Sequence, residues 1–240
     1  MVPVAVFVIV IVFVAAVAQA TTGFGYALIA VPLLTLATDP RTAVVGAAIS
    51  SMLLTVVLAV RERRFVRWSV TGWLLAASML GLPFGLLILR HLPDRWLTAV
   101  IALTSLAGTL VVWRRVRLDP GRVTVGAVGV LTGVLSTATG TNGPPLVAAF
   151  QAMGYDANTL RATISAVFTG TGFFGLIGFF VTGEVTASAA AVGLVGIPAT
   201  ALGWLVGDRV FARLNDELFR KVVLVGLVVI SVVTLVDAAW

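Results

Sequence analysis

Two glycine-rich stretches constrain this chain more than any other feature. Thr21-Thr22-Gly23-Phe24-Gly25 follows one apolar run, and Thr139-Gly140-Thr141-Asn142-Gly143-Pro144-Pro145 follows another. Each interrupts a segment that otherwise reads as membrane-spanning helix. The rest of the chain supports that reading. Of 240 residues, 60% are hydrophobic and only 11% charged, against about 25% charged in soluble domains. Apolar runs of crossing length recur throughout. In hydrocarbon every backbone N–H and C=O needs a partner. A helix is therefore broken there only where the break is buried in protein or lines a wet cavity. Paired breaks, one in each half, point to a transporter's substrate site.

The chain divides in the same order twice. A broken segment has arms at about 2–20 and 25–37, and spans follow at about 42–60, 69–89 and 96–113. A second has arms at about 123–138 and 144–153, followed by spans at about 160–181, 186–206 and 221–238. No polar stretch is long enough for a soluble domain. Residues 1–240 read as one membrane domain, with repeat 1 at 1–113, a basic loop at 114–122 and repeat 2 at 123–240. Ala18-Gln19-Ala20 resembles a signal cleavage site. The absence of a positive n-region and the length of the apolar run argue against a signal peptide.

The halves overlay. Gly23 falls on Gly140 at an offset of 117, and Ile49-Ser50 on Ile164-Ser165 at 115. Gly81 and Gly85 fall on Gly203 and Gly207 at 122, as do Leu92 and Asp94 on Leu214 and Asp216. The paired Gly-x-x-x-Gly steps predict close helix packing. If both broken segments are hairpins, 13 Lys and Arg side chains lie inside and only Arg41, Arg90 and Arg95 outside. That bias orients the chain. An odd number of spans per half makes the repeats inverted, so the breaks enter from opposite faces and meet near the midplane. Fold class is thus all-α: two inverted repeats, each a re-entrant helical hairpin plus three spans. The protein is expected to be multi-pass in the cell membrane, with both termini outside.

Composition excludes several functions. Cysteine is absent, and His91 is the sole histidine, placed in an outer loop. Cys and His-pair metal chemistry is therefore excluded, and no cofactor is implied. The net charge of +6 resembles that of a nucleic-acid binder, but the arginines occupy short loops between spans, where they set topology. The expected partners are a small anion and the bilayer, not nucleic acid. No Asp, Glu or Lys lies deep in a span, which argues against a carboxylate proton relay. Nothing supports an enzyme.

The breaks themselves suit an anion. A helix start presents unpaired N–H groups and a partial positive charge. Pro144-Pro145 fits a helix start, with Asn142 as N-cap or as donor to the substrate. Gly25 begins the equivalent arm. Gly23, Gly25, Gly140 and Gly143 let backbone approach a ligand. Thr21, Thr22, Thr139 and Thr141 add hydroxyls, and Gln19 is adjacent. The same hydroxyls can instead bond helix carbonyls. Ser50 and Ser165 occupy matching positions on the next spans, to face the site or to pack between helices. Arg161 starts its helix near the inner mouth or serves as a topology arginine.

Gly23 to Leu34 (GFGYALIAVPLL), Gly140 to Gly154 (GTNGPPLVAAFQAMG) and Leu160 to Ala166 (LRATISA) resemble the TauE/SafE family of membrane anion exporters. The likeness covers most of the chain. It implies export of sulfite or a C2 organosulfonate such as sulfoacetate. With the inside negative, an anion leaving gains about 2.3 kcal/mol per charge per 100 mV, so uniport driven by the potential is expected. The alternative is an ion- or proton-coupled carrier, or a channel, for another small anion or metabolite.

Overall fold

In a computed structural model, residues 2–114 and 121–211 are described, and all their regular structure is helical. Among the described residues the nine α-helices are α1 (Val2–Thr22), α2 (Tyr26–Thr35), α3 (Pro40–Arg61), α4 (Trp68–His91), α5 (Asp94–Trp113), α6 (Arg122–Ala138), α7 (Gly143–Ala152), α8 (Ala157–Val181) and α9 (Ala187–Phe211). A single 3-10 turn, Arg63–Phe65, joins α3 to α4. Six of the described helices are long and apolar enough to cross a membrane: α1, α3, α4, α5, α8 and α9. The expected span at 221–238 and most of the 114–122 loop lie outside the described residues.

Local chemistry sets the helix boundaries. Asp39 accepts a hydrogen bond from the Thr42 N–H at 2.9 Å, and Pro40 takes the first helical position. So α3 starts at Pro40 rather than after it, because proline is tolerated where the N–H has no helical partner. Asp156 caps α8 in the same way, accepting from the Asn158 and Thr159 N–H groups at 3.0 Å. Bonds from the Thr159 backbone and hydroxyl hold its carboxyl below the ordinary range.

Both breaks appear where expected, between α1 and α2 and between α6 and α7. Each second arm has 10 residues, or about 15 Å of helix. The first arms are longer. With 21 residues, α1 extends about 31 Å. Gly23 packs on Arg161, in the second turn of the 25-residue α8. At the other break, Ala138 packs on Gly85, six residues before the end of α4. The breaks therefore approach from opposite ends of their neighbours, and they touch where Gly143 meets Phe24.

Helix pairing crosses between the halves. α1 packs along α9, and α6 packs along α4. Glycine makes both contacts possible. A Cβ on Gly81 would sit 2.0 Å from the Val130 carbonyl oxygen, and one on Gly133 would sit 2.1 Å from that of Ser78. On the other pair, a Cβ on Gly203 would lie 2.5 Å from the Phe13 carbonyl oxygen, and one on Gly207 would lie 2.7 Å from the Ala20 Cβ. The aligned Gly-x-x-x-Gly steps thus do the same work in both halves: each lets a span contact the first arm of the opposite broken segment. Without a hydrophobic drive between helices in lipid, such close packing carries the association. The outer faces are large and apolar, as with Trp73, Phe84, Phe173 and Phe180.

Gly133→Leu should push α4 and α6 apart and lower stability by about 1–3 kcal/mol or more. Gly126→Leu, on the same helix with nothing within 4 Å of its Cβ, should change stability by less than about 0.5 kcal/mol. Thermal unfolding of the two variants in detergent separates these outcomes.

Candidate anion site

The sequence at each break determines its backbone. Gly23 and Gly25 adopt φ of +82° and +106°, and Gly140 adopts +71°. L side chains rarely enter this region, so these positions favour glycine. The turns bring the two breaks into contact. Gly140 lies against Ala27 and Val31 of α2, and Gly143 against Phe24. Residues 117 positions apart in sequence therefore share one wall.

A cavity of about 70 Å³ lies between them. Gln19 lines it from α1; Gly25, Ala27 and Leu28 from the start of α2; and Gly140, Thr141, Asn142 and Gly143 from the second break. α3 contributes Val44, Ala47, Ala48, Ser51, Met52 and Thr55, while α8 contributes Phe168, Thr171 and Gly172. Ser51 and Thr171 are near the middles of their helices, so the cavity and the break residues that line it share the middle level. Asp, Glu, Lys and Arg are absent from its described lining.

The Ser51, Thr55, Thr141 and Thr171 hydroxyls of the wall donate within the protein, which leaves the Gln19 and Asn142 amides and the start of α2 as its candidate donors. Gln19 is 2% exposed, and its Nε2 has no hydrogen-bond partner among the described residues. An unsatisfied buried donor costs about 1–3 kcal/mol, so an acceptor in the cavity would relieve that penalty. The first turn of α2 leaves its N–H groups without helical partners, and Ala27 and Leu28 are in the wall. Asn142 occupies the N-cap position of α7, but its side chain does not cap the helix. Pro144 and Pro145 have no N–H, so α7 offers fewer amides than α2. Asn142 then supplies a donor where the prolines remove two.

Of the remaining predicted residues, Thr141 lines the cavity and the others are placed outside its wall. The Thr21 hydroxyl donates to the Val17 and Ala18 carbonyls at 2.9 Å, and Thr22 donates to Ala18 at 2.8 Å. Thr139 bonds Thr141 at 2.7 Å, and Thr141 reaches Thr104 at 3.2 Å. Ser50 turns away from the cavity. It lies 2.7 Å from the Tyr26 hydroxyl, which is itself 3.1 Å from Thr200. The Ser165 hydroxyl donates to the Arg161 carbonyl at 2.8 Å. Arg161 sits behind the first break, against Gly23 and paired with Glu62.

Several wall residues do not stand out in a motif search. Val44, Ala47, Ala48, Ser51, Met52 and Thr55 follow helical spacing and form one small, partly polar face of α3. That periodicity is a readable signal. It selects Ser51, about 100° round the helix from Ser50.

The family model described as Sulfite exporter TauE/SafE matches residues 8–234. The chain belongs to the TauE/SafE family. It is accordingly a membrane transporter of anions and not an enzyme. Searches of curated proteins and of solved structures gave no match.

Gly25→Ala should cost on the order of 1–2 kcal/mol from backbone strain alone, because a Cβ there has room, with Thr22 Oγ1 at 3.8 Å. Gly23→Ala should cost more, since its Cβ also meets Arg161 at 3.0 Å. Denaturation midpoints of the two purified variants test that order.

Proposed function

We propose that this TauE/SafE chain exports a small oxyanion from the cytoplasm, with sulfite or a C2 organosulfonate such as sulfoacetate as substrate. One observation carries the reading: buried Gln19, whose Nε2 has no hydrogen-bond partner among the described residues, lines a cavity at the start of α2 whose described lining is neutral. Its donors suit oxygen acceptors, and the positive end of the α2 dipole favours negative charge. Asn142 and Thr141 complete the polar wall, with the glycines giving close backbone approach. The apolar wall at Val31, Val44 and Met52 suits the short carbon chain of an organosulfonate.

The transporter works in the plasma membrane as a single membrane domain of two inverted repeats, 1–113 and 123–240, with both termini outside. The reciprocal pairing of α1 with α9 and α6 with α4 supports that arrangement, as do the two 10-residue second arms. Export is uniport driven by the membrane potential. At 100 mV, inside negative, the gain for a monoanion is about 2.3 kcal/mol, or roughly fiftyfold in concentration. The neutral described lining favours this mode over a buried proton relay.

Sulfite, sulfoacetate, sulfate and acetate titrated against purified protein test the site. Gln19→Leu and Asn142→Ala should each weaken binding of the preferred anion at least about tenfold, since a hydrogen bond to a charged group contributes about 1.5–3 kcal/mol. Failure of all four anions to bind would overturn the reading. Proteoliposome flux that ignores an imposed potential would overturn the uniport.

A further inference from the structure

Four charged side chains gather at the end of α3, outside the cavity wall. Arg161 on α8 is 5% exposed and pairs with Glu62, the residue that caps α3. Asp208 on α9 lies 3.5 Å from Arg161 and pairs with Arg61 at 2.8 Å. Among the described residues, the cluster holds two positive and two negative groups. It lies directly behind the first break. A Cβ on Gly23 would touch the Arg161 Cα and Cγ at 3.0 Å, whereas Gly25, two residues on, lines the cavity.

The positions define a closed end. Glu62 comes seven residues after the cavity residue Thr55, and Arg161 seven residues before the cavity residue Phe168. Both separations are about 10 Å along a helix. Ala59, Ala162 and Ala166 fill the intervening layer as a buried apolar plug. At the opposite end of α3, Arg41 pairs with Asp94 and donates to the Leu89 and Leu92 carbonyls, but Asp94 is 56% exposed. Among the described residues, the buried ion pair is therefore confined to one end of the cavity. A guanidinium this deeply buried requires a counter-charge. A carboxylate and a small oxyanion are equivalent partners for it, because both accept the same forked hydrogen bonds.

We propose that the Arg161–Glu62–Asp208 cluster is the gate on the face that carries the Arg61–Arg67 loop, and that a permeating anion opens it by replacing Glu62 on Arg161. Arg161 is thus a second anion site, masked by carboxylates, on the route to the cavity. The gate follows from the packing alone, and its use by an anion rests on the proposed export function.

The chain contains no cysteine, so Ala48→Cys places one thiol in the cavity wall. Arg64→Cys and His91→Cys mark the two faces. A membrane-impermeant methanethiosulfonate reagent, applied from the Arg64 face, should label Ala48→Cys at least about tenfold faster when Glu62→Gln is added. The same is expected of Asp208→Asn and of the Arg161→Gln/Glu62→Gln pair, which leaves no lone buried charge. Asp94→Asn should leave the rate unchanged. In the cysteine-free protein, the Arg161→Gln/Glu62→Gln pair should carry sulfite at least about tenfold more slowly, despite its open gate. Labelling from the Arg64 face within about twofold of the parent in all three variants would overturn the gate. Sulfite flux undiminished in the paired variant would overturn the anion's use of Arg161. If no form of the protein carries sulfite or sulfoacetate, the export reading fails, and the labelling rates still decide the gate.

Discussion

A helix broken inside hydrocarbon exposes backbone groups that lipid cannot satisfy. Everything distinctive in this structure follows from accommodating two such breaks. Each needs protein on every side except the one that is to be wet. The first break gets it from α8, where Arg161 backs Gly23, and from the second break, where Gly143 meets Phe24. The side left open is the cavity. At the breaks its wall is built from helix starts and glycines, which leave donors exposed and backbone accessible, with Val31, Val44 and Met52 beside them. Site and fold are thus solutions to the same problem.

The helix pairing supports the breaks from outside. A broken segment has a short second arm, and 10 residues of helix cannot anchor themselves. Anchoring falls to the long first arm, which must lie close to a complete span. Gly81 and Gly133 bring α4 and α6 to backbone contact, while Gly203 and Gly207 do the same for α9 and α1. Each half therefore holds the other half's break in place. Motion of one half against the other would carry both breaks with it, which links packing directly to transport.

Much of this was legible in the sequence, for identifiable reasons. Hydrocarbon imposes a length on each crossing helix, so α3, α4, α5, α8 and α9 could be read from apolar runs alone. Gly and Pro mark the breaks because few other residues tolerate them. The Gly-x-x-x-Gly pairs foretold close packing, though not the partners. Three-dimensional choices were less accessible. Helical phase decides that Ser51 lines the cavity while Ser50 bonds Tyr26, and a one-residue difference is invisible to a search for polar residues. Arg161 reads as a topology arginine until Glu62, 99 residues away in sequence, is found beside it.

The separation of Arg161 from the cavity has a physical rationale. A transporter must bind its substrate well enough to admit it and weakly enough to release it. A guanidinium in the cavity wall, desolvated and fixed, would hold an oxyanion through charge-assisted bonds about twice as strong as neutral ones. It would also leave a buried charge unpaired whenever the anion departed, at a cost of several kcal/mol. Neutral donors such as Gln19 and Asn142 avoid both problems. They attract through dipoles, and their penalty when empty is that of a single unmade hydrogen bond. The cation is kept where it can exchange partners without being stranded, beside Glu62 and Asp208. Attraction and release are assigned to different residues, about two helical turns apart.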